Sequence, residues 1–147
     1  MTELEIYYEN FKRNKKKLVK SGPKLAKKYS LELMVIFGSY ATGKARVNSD
    51  LDIGVMGHLD FSSLIELTDE LSTLLGLKIV EVVNLKKASP LLAHNALRTA
   101  VVVFEHTPGI LSAVRLATLH RFVETKSLRE IRFNRTKRYI KEYLSIK

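Results

Sequence analysis

The sequence predicts a fold of the α/β or α+β class. Four short runs rich in apolar and branched residues have the length of strands, and segments with apolar residues at helical spacing lie between them. Strands that interleave with helices in this way are typical of those two classes. The 147 residues suit one domain, with a core over about 25–105 and helical extensions at 1–24 and 108–147.

The N-terminal extension is predicted to be helical over residues 3–20, with a loose apolar stripe. The stripe consists of Leu4, Tyr7, Tyr8, Phe11 and Leu18. Because glycine and proline interrupt helices, Ser21-Gly22-Pro23 predicts a break, followed by a short helix over residues 25–29.

The four predicted strands span residues 31–37, 51–56, 78–83 and 100–104. A helix is expected over residues 61–75, where Asp60 can cap its start and Gly76 can end it. Its apolar residues are Phe61, Leu64, Ile65, Leu71, Leu74 and Leu75.

Two further helical regions complete the predicted order of elements. Proline is favoured in a first helical turn, so Pro90 is expected to begin a short helix that ends near Leu97. From about Pro108 the chain is predicted to be helical to its end, in two pieces that break near residues 125–127.

The composition excludes several classes of protein. With no cysteine, the chain has neither thiol catalysis nor a Cys-bound zinc site nor a disulfide scaffold. No apolar run approaches the roughly 18 residues that a membrane-spanning helix needs, and the N-terminus has no signal-peptide core. We therefore expect a cytoplasmic protein without a membrane partner. The four histidines share no metal-ligand spacing, and no Ser/His/Asp arrangement indicates a hydrolase.

The net charge of +10 is unevenly distributed along the chain. It is +6 over residues 1–30, −3 over 31–114 and +7 over 115–147. Such basic arms are typical either of solvated helical faces or of surfaces that bind a polyanion or an acidic protein. RNA is the less favoured partner. The aromatic residues near the N-terminus can stack on bases, but more often such residues pack against their own domain.

A row of basic residues recurs at every third position of the C-terminal arm. Its members are Lys126, Arg129, Arg132, Arg135, Arg138 and Lys141. Since a helix has 3.6 residues per turn, the row winds around the helix and can follow a phosphate backbone or dock an acidic partner. The alternative is a solvated helix whose apolar residues pack inward. Those residues are Leu128, Ile131, Tyr139, Ile140, Tyr143 and Leu144.

The chemically informative motif is Gly38-Ser39, then ten residues, then Asp50-Leu51-Asp52. Gly38 allows an anion to approach the backbone, and Ser39 offers a hydroxyl where N–H groups at a helix start attract phosphate. Two acids spaced by one residue on a strand share a face, and they repel each other unless a cation lies between them. Oxygen ligands of this kind suit Mg²⁺ together with substrate phosphates.

A third acid, Glu81, stands within the apolar run KIVEVV, where an isolated charge is costly. If that strand lies beside the second one, Glu81 can join Asp50 and Asp52 on the same face. There it can bind metal or accept the proton of an incoming hydroxyl. The alternative is a structural ion pair with a nearby Lys or Arg.

The pattern Gly38-Ser39-x10-Asp50-x-Asp52, with Glu81 downstream, resembles the DNA polymerase β-like nucleotidyltransferases. The run GSYATGKARVNSDLDIGV is similar to the minimal nucleotidyltransferases, which are antitoxin partners of HEPN toxins. The resemblance covers about residues 25–105. It implies an α+β fold with a small mixed sheet flanked by helices, here with basic N-terminal and C-terminal helices. It also implies Mg²⁺, ATP as donor, and transfer of AMP to a hydroxyl, a tyrosine of the partner toxin.

The resemblance also implies roles for individual residues. Gly38 and Ser39 would hold the triphosphate, Asp50 and Asp52 would bind Mg²⁺, and Glu81 would be the third carboxylate, metal ligand and base.

Gly43 and Arg46 match common positions of the same loop. Thr42 stands where the family often has Arg, Lys44 stands where it often has an acid, and the third acid is often Asp. Lys44 or Arg46 can replace the missing positive charge at the triphosphate.

Two other functions fit the sequence less well. A non-catalytic antitoxin would neutralise its toxin by binding alone, and the basic arms and the residues Thr42 and Lys44 are compatible with it. An enzyme that nucleotidylates an antibiotic usually has a larger second domain for the acceptor, and a basic surface suits a cationic antibiotic poorly.

Overall fold

A computed structural model describes residues 1–46 and 48–145, which form six helices and four strands. In chain order the elements are α1 (Glu3–Tyr29), β1 (Leu31–Phe37), α2 (Gly38–Thr42), β2 (Leu51–Gly57), α3 (Phe61–Leu75), β3 (Val80–Asn84), α4 (Pro90–Arg98), β4 (Val101–Glu105), α5 (Ile110–Glu124) and α6 (Lys126–Ser145). The interleaved order confirms the predicted fold class, and the predicted strand and helix bounds differ from these mostly by one or two residues.

The four strands form one mixed sheet in the order β3-β2-β1-β4. β1 pairs antiparallel with both β2 and β4, whereas β2 and β3 run parallel. The parallel pair requires a crossover connection, and α3 supplies it. The mixed sheet implied by the family resemblance is therefore present.

Helices cover both faces of the sheet. Met34 and Ile36 of β1 pack in one core cluster with buried residues of α1 and α3, while Leu33 and Val35 pack in a second cluster with α4 and the start of α5. This division follows from the alternation of side chains along a strand. Since β1 is buried on both faces, its sequence reads as a nearly continuous apolar run rather than an alternating one.

The predicted break near Pro23 is wrong, because α1 continues through it to Tyr29. Proline inside a helix costs about 3 kcal/mol, so packing must compensate. Leu18, Gly22 and Leu25 are buried on one side of the helix, and Gly22 lies so close to Phe104 that a Cβ would approach to 3.3 Å. One continuous buried face therefore outweighs the local preference for a break.

Two of the predicted apolar stripes are only partly buried. In α1, Leu4 and Tyr8 are exposed, although the sequence assigned both to the stripe. In α3, Phe61 and Ile65 are exposed, and the buried row is Leu67, Leu71 and Leu75.

The N-terminal aromatic residues pack mainly against their own domain. Tyr7 is buried, Phe11 is half-buried, and their rings lie 5.7 Å and 6.4 Å from the ring of Tyr40. This arrangement favours the packing interpretation over base stacking for these two residues.

Inward packing of the C-terminal helix is contradicted. Apart from half-buried Arg129, every residue of α6 up to Ser145 is exposed, and all six apolar residues expected to pack inward are at least half exposed. The reason is positional, since α6 follows α5 directly and none of its described residues belongs to either core cluster. No helix in the described ranges is long and apolar enough to cross a membrane.

A polar contact attaches the end of α1 to α3. The Tyr29 hydroxyl donates a hydrogen bond to Glu70 Oε2 at 2.6 Å, and Lys28 Nζ donates to the same oxygen at 3.0 Å. These hydrogen bonds, that from Tyr29 first, lower the pKa of Glu70 below its usual value. Burial raises the pKa of Tyr29 to about 12, with the Glu70 hydrogen bond adding to the effect.

We expect Tyr29→Phe to lower the free energy of unfolding by about 1 kcal/mol at pH 7, because it removes a hydrogen bond to a charged acceptor. A carboxyl with a lowered folded-state pKa stabilises the fold above its unfolded-state pKa, and the contribution is lost as pH falls through the folded-state value. The difference in unfolding free energy between the wild type and Tyr29→Phe, measured by urea denaturation, should therefore be smaller at pH 3 than at pH 7. Tyr8→Phe, at an exposed position of α1, is the control, and an equal Tyr29→Phe deficit at both pH values would contradict the assignment.

Candidate active site

Three neighbouring strands bring the predicted site residues to one end of the sheet. Phe37, the last residue of β1, pairs with Asp52, and Asp52 pairs in turn with Glu81 of β3. Ile53 and Val55 belong to the cluster beneath α1 and α3, so Asp52 projects from the opposite face, as does Glu81 beside it. The expected side-by-side placement of these two acids is confirmed.

Gly38 fits against Asp52 so closely that no other residue is compatible with the contact. A Cβ at Gly38 would lie 2.2 Å from Asp52 Oδ2. The backbone φ angle of +70° at this glycine also falls in the region that side chains disfavour. The first turn after β1 is therefore fixed directly beside a carboxylate.

The carboxylates at this end of the sheet share a crowded environment. The pKa of Asp52 is raised to about 6, first by burial and then by the negative charges of Glu81 and Asp50 and by hydrogen bonding to Glu81. Asp52 is half-buried, whereas Asp50 and Glu81 are exposed. Such a site favours either a shared proton or a bound cation.

The fit of the site to Mg²⁺ is partial. The crowded oxygen donors of Asp52 and Glu81 are of the kind that Mg²⁺ prefers. However, the described residues contain no group of three His, Cys, Asp or Glu side chains already arranged to hold a metal. Asp50 precedes β2 rather than lying in it, contrary to the strand placement expected from the sequence. The three-carboxylate metal site remains a prediction.

The expected triphosphate residues lie in the segment that joins β1 to β2. Ser39 is half-buried in α2, and its carbonyl oxygen accepts hydrogen bonds from the N–H groups of Lys44 and Ala45 at 3.0 Å and 3.1 Å. The N–H of Arg46 donates to Ser49 Oγ at 2.7 Å. Lys44 and Arg46 are both exposed. Their roles in holding phosphate remain predictions.

Tyr40 is a residue of this region that sequence reasoning missed. It is buried, and its carbonyl oxygen accepts a hydrogen bond from the Tyr7 hydroxyl, which links α2 to α1. Burial raises the pKa of the Tyr40 hydroxyl, and the charge of Asp50 raises it further. The available signal was an aromatic residue directly after Gly38-Ser39, since such a residue can attach a short helix to the core by packing.

A family model identifies the superfamily. The model described as polymerase beta, nucleotidyltransferase, matches residues 20–108, which is more than half of the chain. The chain belongs to the polymerase beta nucleotidyltransferase family. The matched range includes Gly38, Ser39, both aspartates and Glu81, so the family resemblance deduced from these residues is confirmed at this level. No curated protein matches the chain significantly.

Solved structures share the fold of this nucleotidyltransferase. A toxin–antitoxin structure with AMP-PNP has a chain with a TM-score of 0.70 and 24% identity, and the match covers 81% of this chain and 98% of that one. A chain of the MntA–HepT toxin–antitoxin has a TM-score of 0.65 and 22% identity, with 82% and 97% covered. A Shewanella oneidensis complex of a tri-AMPylated HEPN toxin with an MNT antitoxin matches with a TM-score of 0.66 and 21% identity, with 84% and 98% covered.

We expect Gly38→Ala to destabilise the nucleotidyltransferase more than Gly43→Ala does. Both glycines have a positive φ, so both changes introduce a backbone strain of about 1–2 kcal/mol, but a Cβ at Gly43 meets nothing within 4 Å. The clash with Asp52 should add about 2 kcal/mol in chemical denaturation.

The double variant Gly38→Ala with Asp52→Ala tests the cause. Removing the Asp52 carboxylate leaves only its Cβ, 3.4 Å from the added methyl group. The extra destabilisation of Gly38→Ala relative to Gly43→Ala should therefore disappear. Strictly additive costs of the two substitutions would mean that the carboxylate contact is not the source.

Proposed function

We propose that this chain is the nucleotidyltransferase antitoxin of a HEPN-type toxin. It would transfer AMP from ATP to a tyrosine hydroxyl of that toxin, with Mg²⁺ as cofactor. The observation that carries the proposal is the pairing of Asp52 with Glu81, directly beside Gly38, in a chain of the polymerase beta nucleotidyltransferase family. This arrangement has the parts that phosphate transfer requires: oxygen donors, a place for phosphate, and a base.

We assign each residue a role that is compatible with its position. Gly38 removes the side chain that would otherwise block the approach of the triphosphate to the turn after β1. Ser39 offers its hydroxyl at the same turn. The exposed side chains of Lys44 and Arg46, in the loop before β2, would neutralise the charge of the leaving pyrophosphate.

The carboxylates would perform the remaining chemistry. Asp52 and Asp50, with Glu81, would hold Mg²⁺, which supplies charge stabilisation at the phosphates when bound. Glu81 is exposed, so an acceptor hydroxyl can reach it from solvent. It would take the proton as that oxygen attacks the α-phosphorus and pyrophosphate departs. Positioning and electrostatics, rather than a covalent enzyme intermediate, would supply the rate enhancement.

The choice of donor and acceptor draws on the structural neighbours. One of them was solved with AMP-PNP, an ATP analogue, and another contains a HEPN toxin that carries three AMP groups. Their identities to this chain lie below 25%, so they support the fold, and the donor and acceptor are part of the proposal.

We expect Asp52→Asn and Glu81→Gln each to lower AMP transfer at least about 100-fold, because each removes a carboxylate that would hold Mg²⁺, and Glu81 would also accept the proton of the attacking hydroxyl. The assay follows radiolabel from α-labelled ATP into the HEPN-type protein of the same organism, with and without Mg²⁺. Thermal unfolding checks that the variants fold. Asp69→Asn, at an exposed position of α3, is the matched control and should leave transfer unchanged.

The same variants separate catalysis from masking. If Asp52→Asn abolishes transfer and also fails to protect cells from the toxin at equal expression, protection depends on catalysis. Full protection by this variant would instead indicate an antitoxin that acts by binding alone. Undiminished transfer in Asp52→Asn and Glu81→Gln would refute the assignment of the site.

A further inference from the structure

The C-terminal helix α6 forms with almost no support from the rest of the fold. It spans 20 residues, yet within its described part only Arg129 is even half-buried. Most helical stability in proteins comes from packing of one face, and isolated helices are marginal in water. A long helix that carries Leu128, Phe133 and Ile140 in exposed positions therefore has the composition of an element that a partner covers.

A cleft of about 540 Å³ lies between α6 and the first turn of α4. Pro90 and Leu91 of α4 form one wall, while Leu128 and Phe133 of α6 contribute apolar surface to the other. Positions 133, 140 and 144 fall on one side of a helix, so Ile140 and Leu144 continue the apolar row beyond the cleft. The groove itself involves α6 from Leu128 to Thr136, and exposed apolar residues continue along the helix beyond it.

The charge on the groove is positive. Arg129 and Arg132 line it, and none of the residues that line it is acidic. Arg129 is held in place, since its guanidinium lies 3.8 Å from the centre of the Phe122 ring and donates to Thr125 Oγ1 at 2.6 Å. A fixed guanidinium beside apolar surface is suited to a carboxylate on an otherwise apolar partner segment.

We propose that the groove between α4 and α6 docks an acidic, amphipathic helix of the HEPN-type partner protein. This inference rests on the proposed function for the identity of the partner. Apolar residues of the partner helix would cover Leu128 and Phe133, and its acidic residues would meet Arg129 and Arg132. Helix-in-groove recognition uses this combination of a spaced apolar row with flanking charge.

The same observations argue against two other occupants. A second copy would bring another α6 against this one, and each carries seven basic and two acidic residues over Lys126–Ser145, so like charges would repel. RNA would be attracted by the positive charge, but among the residues that line the groove Phe133 is the single aromatic one, whereas proteins that bind single strands stack successive bases on several aromatic side chains.

The groove lies apart from the candidate active site. α4 begins after the carboxyl end of β3, whereas Glu81 is the second residue of that strand. Docking there would hold the acceptor protein without occupying the surface around Asp52. Loss of docking should therefore raise the KM for the partner and leave kcat nearly unchanged.

The test compares two double variants with matched chemistry at neighbouring positions of α6, of which one pair lines the groove and the other does not. Leu128→Ser with Arg132→Glu alters the groove, and Ile131→Ser with Arg135→Glu alters exposed residues outside it. The purified full chain is titrated with the HEPN-type protein of the same organism by calorimetry. We expect the groove variant to raise Kd at least 30-fold and the control less than threefold.

Two further readouts accompany the titration. Amide hydrogen exchange in α6 should slow on binding in the wild type and not in the groove variant. AMP transfer at saturating partner should be equal in both variants. Wild-type binding without any AMP transfer would refute the proposed function and leave the docking surface standing.

Several results would overturn the docking proposal. Equal weakening by both double variants would indicate general charge attraction rather than a groove. No binding by the wild type, or unchanged Kd in the groove variant, would exclude the site. A chain that is dimeric by itself through this groove, or RNA binding lost only in the groove variant, would assign the surface to a different occupant.

Discussion

The close approach of Gly38 to Asp52 is the constraint on which the rest of the site depends. It joins the end of β1 to the start of β2, so the turn that is expected to meet phosphate and the carboxylate that is expected to meet metal share one van der Waals contact. The antiparallel pairing of β1 with β2 sets that contact, and the parallel pairing of β2 with β3 then places Glu81 beside Asp52. One sheet register therefore positions the three groups together.

The electrostatics of the site follow from the same register. Because Asp52 is half-buried next to Glu81, its charged form is disfavoured and its pKa is raised. Two carboxylates held together at a partly buried position lower stability unless their charges are offset. The same crowding would favour binding of a cation, because a cation between the two acids would offset the repulsion of their charges. This balance supports a ligand-binding role for the two acids over a structural one.

The sequence predicts the elements well where the local signal and the tertiary packing agree. Local chemistry was enough to predict β1 from its apolar run. It was also enough to predict the start of α3 at the cap residue Asp60 and its end at Gly76. The prediction failed at Pro23, where contacts with residues distant in sequence, such as Phe104, override the local signal. The burial of individual residues also depends on contacts that are distant in sequence. Leu4, for example, belongs to the predicted apolar stripe of α1 but is exposed.

The site was predictable to the extent that it rests on spacing. The alternation of side chains along a strand predicted that Asp52 and Glu81 share one face of the sheet, provided that the two strands are neighbours. That neighbourhood is a property of topology and not of either segment alone. Tyr40 was missed because its importance lies in its contacts with Tyr7 and Phe11, which no spacing rule reveals.

The candidate site and the C-terminal arm carry charges of opposite sign. The central segment is slightly acidic and contains the carboxylates, whereas α6 has an excess of basic residues. If the basic arm served to hold the triphosphate, its arginines would be expected beside Asp52. Arg129 and Arg132 instead line a cleft with the first turn of α4, after the far end of β3. The exposed cations Lys44 and Arg46, in the loop before β2, are nearer in sequence to the carboxylates. This separation agrees with the proposal of two different anionic partners, a nucleotide at the loop and an acidic protein at the groove.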